Sequence, residues 1–382
     1  MLPLLLTLLL QGSTTLTPAQ EPGEDGWVPF ERFSDRFILL EGTVSGHSVT
    51  GILDSGAAVT VFDETFARAH DFEEGTRGQA LGVGGMQEMW MTGPHTVSLP
   101  HLASLDLTAA VIDLKAIQEA FGRKVEVIYG REFFAKHVIE VDYPGSRIRF
   151  HPSDHDATAD DVAWSRMMSE RGLMQVFCRI EGGNRVRANL DTGSGAVIDV
   201  FAPYVKKAGL LQDRRLSNSV AMGVGGEVEV AIATLETFSL GGITSMDLPA
   251  ELHEVAVGAF ANTQASANLG GGFFRRFHLI FDLPHQRFGI RGDIHGKDFA
   301  RDRSGLRLSP EGDALLVRFV AKGSPAAKEG WKKGERIVAV DGVAVKDLPD
   351  PRSWREGLPG RVIKLTVEGE KKARLLLLTD YF

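Results

Sequence analysis

Cysteine is almost absent from this chain, which has one, Cys178, in 382 residues. A single cysteine cannot form an internal disulfide, and it excludes a zinc site with several cysteine ligands. We expect Cys178 to be a core residue, because an unpaired cysteine behaves as a small hydrophobic side chain. Long hydrophobic runs are also missing, since no segment reaches the ~18 apolar residues of a membrane-spanning helix. The sequence therefore predicts no membrane span.

The first residues combine a short apolar run with a lack of positive charge before it. The run is LPLLLTLLL at residues 2–10, which is too short for a membrane helix but suits a signal-peptide core. Thr17-Pro18-Ala19 offers a cleavage site. We assign residues 1–20 to a signal peptide and expect an exported bacterial protein, periplasmic or secreted. The missing Lys or Arg leaves a retained anchor or a misplaced start as alternatives.

The net charge is −8, from 42 basic and 50 acidic residues. An acidic body argues against nucleic-acid binding as the main role. Residues 303–382 carry 16 basic and 11 acidic residues and so differ in sign from the rest of the chain. Acidic partners are one explanation of this basic segment, but scattered Lys and Arg usually only solvate a surface.

The chain contains two copies of one unit. FILLEGTVSGHSVTGILDSG begins at Phe37 and MQVFCRIEGGNRVRANLDTG begins at Met174, an offset of 137 that aligns Asp54 with Asp191. Three further blocks repeat in the same order at offsets of 140 or 141: ALGVGGM with AMGVGGE, IYGREFF with NLGGGFF, and EVDYP with IFDLP. This order indicates an internal duplication. Short apolar stretches bounded by Gly, Asp and Pro predict mostly β structure in both copies.

Each copy has an aspartate at the end of an apolar segment, in Leu53-Asp54-Ser55-Gly56 and Leu190-Asp191-Thr192-Gly193. One such motif is common in turns, but two at equivalent positions predict that the carboxylates meet about a local two-fold axis. Two close carboxylates cannot both ionise, so they share one proton. The ionised member can activate a water for attack on a peptide carbonyl, while the protonated member polarises its oxygen. This chemistry needs no cofactor and no metal, and we expect neither.

With these features the sequence resembles the retropepsin-like aspartic proteases, with both lobes in a single chain. The resemblance implies a two-lobed β fold with pseudo-two-fold symmetry, an N-lobe at residues 30–150, a linker at 151–172 and a C-lobe at 173–292. It implies that Asp54 and Asp191 are catalytic. It also implies that the catalytic loops are supported by Ser55, Gly56, Thr192 and Gly193. It further implies two flaps that close over the substrate, formed by Gly82, Val83, Gly84, Gly85, Gly223, Val224, Gly225 and Gly226.

Two asparagines depart from the pattern of this family. Asn189 and Asn268 stand where the first copy has the apolar residues Ile52 and Ile128. These departures support an alternative in which the chain is an inactive peptide-binding scaffold that keeps the protease fold. A metal site at His151 and His155 is a further alternative, but the segment has no repeat partner, and we interpret it as a polar connection.

Residues 303–382 change in character. Ser324 can cap a short helix that begins at Pro325, and Ile337–Val340 reads as a strand followed by a tight turn at Asp341-Gly342. The segment resembles a bacterial-type PDZ domain, a small α+β fold whose groove takes an extended peptide as an added strand. The resemblance implies peptide binding at Gly305, Leu306 and Leu308, although this loop departs from the usual Gly-Leu-Gly-Phe. A purely structural cap is the alternative.

Together these patterns predict an aspartic endopeptidase that hydrolyses peptide bonds of protein substrates. The PDZ domain would bind or orient a substrate or partner. We expect activity as a monomer, because one chain supplies both lobes.

Overall fold

The computed structural model describes residues 25–170, 172–291 and 299–382. The predicted signal peptide, residues 1–20, lies outside these ranges. The fold is mostly β, as the sequence predicted, and its strands form three sheets. Within the described ranges, none of the helices has the length and apolarity that a membrane crossing requires.

The first copy forms an eight-stranded sheet with three short helices. The elements are β1 (Val28–Pro29), β2 (Glu31–Phe33), β3 (Phe37–Val44), β4 (His47–Leu53), β5 (Val61–Asp63), α1 (Glu64–Ala69), β6 (Arg77–Gly82), β7 (Gly85–Leu99), β8 (Ala103–Ile112), α2 (Lys115–Phe121), β9 (Val127–Tyr129), α3 (Arg131–Lys136), β10 (His137–Asp142) and β11 (Arg147–Pro152). The strand order of the sheet is β2-β3-β4-β9-β5-β8-β7-β6, and β3 also pairs with β7.

The second copy repeats this arrangement in the same order. Its elements are β12 (Val162–Glu170), β13 (Leu173–Ile180), β14 (Val186–Leu190), β15 (Ile198–Val200), α4 (Ala202–Ala208), β16 (Ser217–Gly223), β17 (Gly226–Leu240), β18 (Ile243–Leu252), a 3₁₀ helix (Gly258–Ala261), β19 (Ala267–Leu269), α5 (Gly271–Phe274), β20 (His278–Asp282) and β21 (Arg287–Arg291). Cys178 lies on β13 and is 2 % exposed, in agreement with its expected place in the core.

A sheet shared by both copies joins the two lobes. Strands β1, β11 and β10 of the first copy continue into β20, β21 and β12 of the second. The junction is the antiparallel pair β10–β20, in which Val141 lies opposite Leu279. Buried phenylalanines pack behind it, with Phe134 and Phe281 in an edge contact at 5.4 Å between ring centroids. The EVDYP and IFDLP blocks of the repeat therefore hold the lobes together.

The C-terminal unit is a separate sheet with its own core. Its elements are β22 (Leu306–Glu311), β23 (Ala314–Val320), α6 (Pro325–Lys328), β24 (Arg336–Val340), β25 (Val343–Ala344), two 3₁₀ helices (Val345–Asp347 and Ser353–Glu356), β26 (Val362–Val367) and β27 (Arg374–Leu377). The start of α6 follows the sequence prediction, because Ser324 Oγ accepts a hydrogen bond from the Ala327 N–H at 3.1 Å.

Polar contacts fix the C-terminal unit against both lobes. Glu356 forms ion pairs with Arg36 and with Arg275. On the second lobe, Ser217 Oγ donates a hydrogen bond to the Lys322 carbonyl at 2.6 Å, and Arg307 Nη2 donates to the Val220 carbonyl at 2.9 Å. The unit is therefore docked on both lobes.

The ion pairs of Glu356 predict a measurable contribution to stability. Although burial opposes ionisation, Arg36 and Arg275 lower the pKa of Glu356 to about 2. Glu356→Gln should lower the free energy of unfolding at pH 7 by about 2 kcal/mol, because Arg36 loses its counter-charge and Arg275 keeps only its ion pair with Asp35. A depressed folded-state pKa gives stability above pH 4.5 that is lost as the pH falls towards 2. Denaturant unfolding should therefore show a gap between wild type and variant that narrows in acid.

Glu74→Gln is the matched control, because Glu74 pairs with Arg77 at an exposed site. We expect no measurable change for this control. An equal loss in both variants, or a gap for Glu356→Gln that is independent of pH, would contradict the prediction.

Candidate active site

Asp54 and Asp191 occupy equivalent places directly after β4 and β14. Each of these strands pairs in parallel with a short strand of its own lobe, β9 or β19. The pairing continues one residue further, since the Asp54 N–H donates to the Tyr129 carbonyl and the Asp191 N–H to the Leu269 carbonyl, both at 2.9 Å. The backbone thus places each aspartate where two parallel strands end.

Two hydroxyl groups lock the aspartate loops together across the lobe boundary. Thr192 Oγ1 accepts from the Ser55 N–H at 2.9 Å and donates to the Leu53 carbonyl at 2.7 Å. Reciprocally, Ser55 Oγ accepts from the Thr192 N–H at 3.0 Å and donates to the Leu190 carbonyl at 2.8 Å. Both side chains are fully buried. The four bonds satisfy polar groups that water cannot reach, which makes this contact costly to break.

Glycine after each hydroxyl residue is required by the close approach of the opposite carboxyl. The Gly56 N–H donates to Asp54 Oδ1 at 2.7 Å, and the Gly193 N–H donates to Asp191 Oδ1 at 3.1 Å. A Cβ on Gly56 would lie 2.5 Å from Asp191 Oδ1, and a Cβ on Gly193 would overlap the Asp54 carboxyl. The structure therefore brings together all six residues predicted for the catalytic loops.

Each carboxyl group lies against the glycine of the opposite aspartate loop, and each affects the pKa of the other. Burial raises the pKa of Asp54. Burial also raises the pKa of Asp191 well above its usual range, and the neighbouring Asp54 and Asp199 carboxylates raise it further. Such a pair retains a proton at a pH where an exposed carboxyl has lost it.

The asparagines that depart from the family pattern form a chain of amides leading to Asp191. Gln175 Nε2 donates to Asn189 Oδ1 at 2.9 Å, and Asn189 Nδ2 donates to Asn268 Oδ1 at 2.7 Å. Asn268 Nδ2 then donates to Asp191 Oδ2 at 3.1 Å. At the equivalent positions of the first lobe stand Leu39, Ile52 and Ile128, which strand register places opposite one another. The second lobe has thus replaced an apolar contact by an oriented hydrogen-bond chain.

The two Gly-Val-Gly-Gly segments form hairpin tips that touch each other. One joins β6 to β7 and the other joins β16 to β17. The Gly84 N–H donates to the Val224 carbonyl at 3.1 Å, and the Gly225 N–H donates to Gln87 Oε1 at 3.0 Å. A Cβ on Gly223 would lie 2.6 Å from Val83 Cγ2. The tips can meet this closely because the glycines lack side chains.

A cavity of about 1210 Å³ runs between the aspartates and the flap residues. Its lining includes both carboxyl groups and the tip residues Gly82, Val83, Gly223 and Val224. The C-terminal unit contributes to the same lining through Arg307, Leu308 and Arg318, among others. The cavity is large enough for several residues of an extended peptide.

The residues predicted for peptide binding in the C-terminal unit are engaged within the chain. The Leu306 and Leu308 side chains lie in the core of the unit, 0 % and 7 % exposed. The Leu306 N–H donates to Ser304 Oγ at 3.0 Å, and the N–H groups of Ser304 and Gly305 donate to Asp302 Oδ1 at 2.8 and 3.4 Å. A peptide carboxylate at this loop would have to displace Asp302.

Among the described residues, two clusters have side chains that could hold a cation. Glu140, His151 and His155 form the first, with the imidazole rings stacked at 3.9 Å. Arg149 donates to Glu140 Oε2 at 2.8 Å, and this positive charge opposes a metal ion. Asp199, Glu251 and His253 form the second cluster, and Asp199 and Glu251 line the cavity.

The cluster of Asp199, Glu251 and His253 was not predicted from the sequence. These residues lie far apart in the chain and become neighbours because β15 pairs with β18, with Asp199 opposite Glu251. An alignment of the two copies beyond the aspartate motif could have indicated this cluster. It shows that these polar residues of the second copy correspond to apolar residues of the first.

Comparison with known proteins agrees with this geometry. The aspartyl protease family matches the chain in two parts, residues 40–133 and 176–271, which contain Asp54 and Asp191. The PDZ domain family matches residues 316–369. No match is found among curated proteins.

The buried hydrogen bonds of the Thr192 hydroxyl predict that its removal lowers the stability of the protein. Thr192→Ala should lower the free energy of unfolding by about 2–3 kcal/mol, because the buried Ser55 N–H and Leu53 carbonyl both lose their partner. Thr192→Ser keeps the hydroxyl and loses only a methyl group, so it should cost about 1 kcal/mol. Urea unfolding measures both values. A loss for the serine variant as large as for the alanine variant would refute the role of the hydroxyl.

Proposed function

We propose that this chain, an aspartyl protease domain in two parts followed by a C-terminal PDZ domain, is an aspartic endopeptidase of protein substrates. The observation that carries the proposal is the pair of half-buried carboxyl groups of Asp54 and Asp191, each against the glycine of the opposite loop, at a cavity under two hairpin tips. The reaction is hydrolysis of a peptide bond by a water held between the two groups.

The electrostatics of the pair suggest how the roles are divided. The Asp199 carboxylate raises the pKa of Asp191 beyond the effect of burial and of Asp54, so the shared proton rests on Asp191. The ionised Asp54 takes a proton from the water while the water oxygen forms a bond to the peptide carbonyl carbon. Asp191 gives its proton to the carbonyl oxygen. When the C–N bond of the tetrahedral intermediate breaks, Asp54 gives its proton to the leaving nitrogen and Asp191 takes a proton from one hydroxyl of the intermediate, which restores the pair.

The flap tips must separate to admit a substrate. Within the described ranges the tips are joined by few hydrogen bonds, and glycine at their turns permits backbone movement. Reclosure would cover the peptide and exclude water from the carboxyl pair. The residues from Gly82 to Gly85 and from Gly223 to Gly226 would then contact the substrate backbone.

The PDZ domain supplies part of the wall of the same cavity, which supports a role in orienting substrate. Arg307, Leu308 and Ser309 of β22 line it together with Asp54 and Asp191. A substrate that extends out of the cleft on this side meets β22, the end strand of the PDZ sheet. Because Asp302 occupies the N–H groups of the loop before β22, we favour contact along the strand rather than capture of a C-terminal carboxylate.

The scaffold alternative loses its main support. Asn189 and Asn268 do not interrupt the site, because their amides form a satisfied chain that donates to Asp191. One chain also supplies both aspartates, which supports activity as a monomer.

Replacement of either aspartate by asparagine, which has the same shape, tests the proposed reaction. Asp54→Asn and Asp191→Asn should each lower kcat/KM for a protein substrate by at least about 10³-fold, because an amide can neither take the proton from water nor share one. Cleavage products from a mixed protein substrate, analysed by mass spectrometry between pH 3 and 8, measure this. Asp160→Asn, at an exposed position, is the control. Wild-type silence at every pH would favour the scaffold.

A charge reversal on the PDZ wall tests the orienting role. Arg318 lines the cavity, and its Nε donates a hydrogen bond to Ser309 Oγ at 2.7 Å. Arg318→Glu should raise KM about fivefold more for a protein substrate than for a peptide of about six residues, since only the longer chain reaches β22. Lys371→Glu, an exposed change elsewhere on the PDZ domain, should not separate the two substrates. Equal effects of Arg318→Glu on both would argue against the orienting role.

A further inference from the structure

Equivalent positions beside the two aspartates carry opposite chemistry. In the first lobe, Val61 on β5 lies opposite Ala110 on β8 and Ile128 on β9. In the second lobe, Asp199 on β15 lies opposite Glu251 on β18 and Asn268 on β19. Strand register therefore matches three apolar residues with two carboxylates and an amide.

The first-lobe positions form an apolar pocket. Val61, Ala110 and Ile128 belong to one buried cluster with Ile112, and Met89 and Ile117 pack against it. All six line the cavity. This pocket offers a substrate side chain only apolar contacts, so it favours an apolar residue.

The second-lobe positions form an acidic pocket next to Asp191. Ser194 Oγ donates to Asp199 Oδ2 at 3.0 Å, and His253 Nε2 lies 3.2 Å from Asp199 Oδ1. The His253 side chain is 1 % exposed and stacks on Phe260 at 3.5 Å between ring centroids. The Ser194 hydroxyl and the His253 imidazole thus hold the two oxygens of Asp199 in place.

Glu251 has no such partner. In the described part of the chain its carboxylate accepts no hydrogen bond, and it forms only a long ion pair with Arg307 Nη2 at 3.9 Å. Burial and the neighbouring Asp199 carboxylate raise the pKa of Glu251 to about 7. The Glu251 side chain is 19 % exposed, and a largely buried carboxylate without hydrogen bonds is unfavourable unless a cation reaches it. Glu251 lines the cavity, so a substrate can supply that cation.

Arg307 indicates which cation fits. Its guanidinium comes from the PDZ domain, approaches Glu251 and is held by the Val220 carbonyl. A guanidinium or ammonium group at the end of a flexible side chain can therefore approach Glu251. A substrate arginine or lysine would bring such a group from within the cleft, close enough for direct hydrogen bonds.

We propose that Glu251, with Asp199 behind it, selects a lysine or arginine side chain next to the scissile bond on the second-lobe side. The apolar pocket of Val61, Ala110 and Ile128 receives an apolar side chain on the other side. This specificity rests on the proposed peptidase function. The enzyme then cleaves between an apolar and a basic residue.

A peptide library tests the pocket on the full chain. Matched peptides differ only in the residue on one side of the cleaved bond, with Lys, Arg, Gln, Leu or Glu in turn. For wild type we expect kcat/KM at least about tenfold higher for Lys or Arg than for Leu. Glu251→Ala, which installs the first-lobe residue, and Glu251→Gln should each abolish this ratio while cleavage of apolar peptides persists. Thermal unfolding shows whether each variant is folded.

Glu88→Gln is the control, because it removes one negative charge at an exposed site on β7. It should keep the wild-type ratio. Preference for apolar residues on both sides, or a basic preference that Glu251→Ala and Glu251→Gln leave intact, would overturn the pocket while proteolysis stands. A ratio that disappears on adding a chelator would also overturn it, because the cluster would then act through a metal ion. Failure of wild type to cleave any peptide would instead refute the peptidase function.

Discussion

The reciprocal hydrogen bonds between Ser55 and Thr192 are the contact on which the site depends. Each hydroxyl accepts from the backbone of the opposite loop and donates to the opposite strand end. The two aspartates follow those strands directly, so the same bonds set the separation and orientation of their carboxyl groups. Because each loop is completed by the other, neither lobe can present its aspartate correctly alone. The shared sheet of β10 and β20 supports this arrangement from behind.

Duplication gave the two lobes one backbone, but their side chains beside the dyad differ. The first lobe places apolar residues around Asp54, whereas the second places amides and carboxylates around Asp191. Two carboxyl groups in identical surroundings would hold their shared proton equally. Here the Asp199 charge raises the pKa of Asp191 above the effect of burial and of Asp54, which in the proposed function makes Asp191 the proton donor and Asp54 the proton acceptor. The same asymmetry would distinguish the two sides of the cleft towards a substrate.

The PDZ domain changes what the cleft can contact. It is attached to the first lobe through Glu356 and to a flap strand of the second through Arg307 and Lys322. Because of these contacts, its strand β22 has a fixed position in the wall of the cavity. In the proposed function, recognition by the PDZ domain and cleavage by the two aspartates would both take place in one continuous cavity.

The sequence by itself determined the duplication, the mostly β fold, the equivalence of Asp54 and Asp191 and the Ser324 helix cap, because each is written in a short local motif or a repeat offset. It did not determine why Asn189 and Asn268 replace apolar residues, or that Asp199 lies beside Glu251. The repeat places Asp54 and Asp191 at an offset of 137, but strand pairing matches Val61 with Asp199 at 138. Alternate residues of a strand face opposite sides, so a shift of one residue changes which side chain enters the cavity. Only tertiary pairing fixes that register, and with it the chemistry of the cleft.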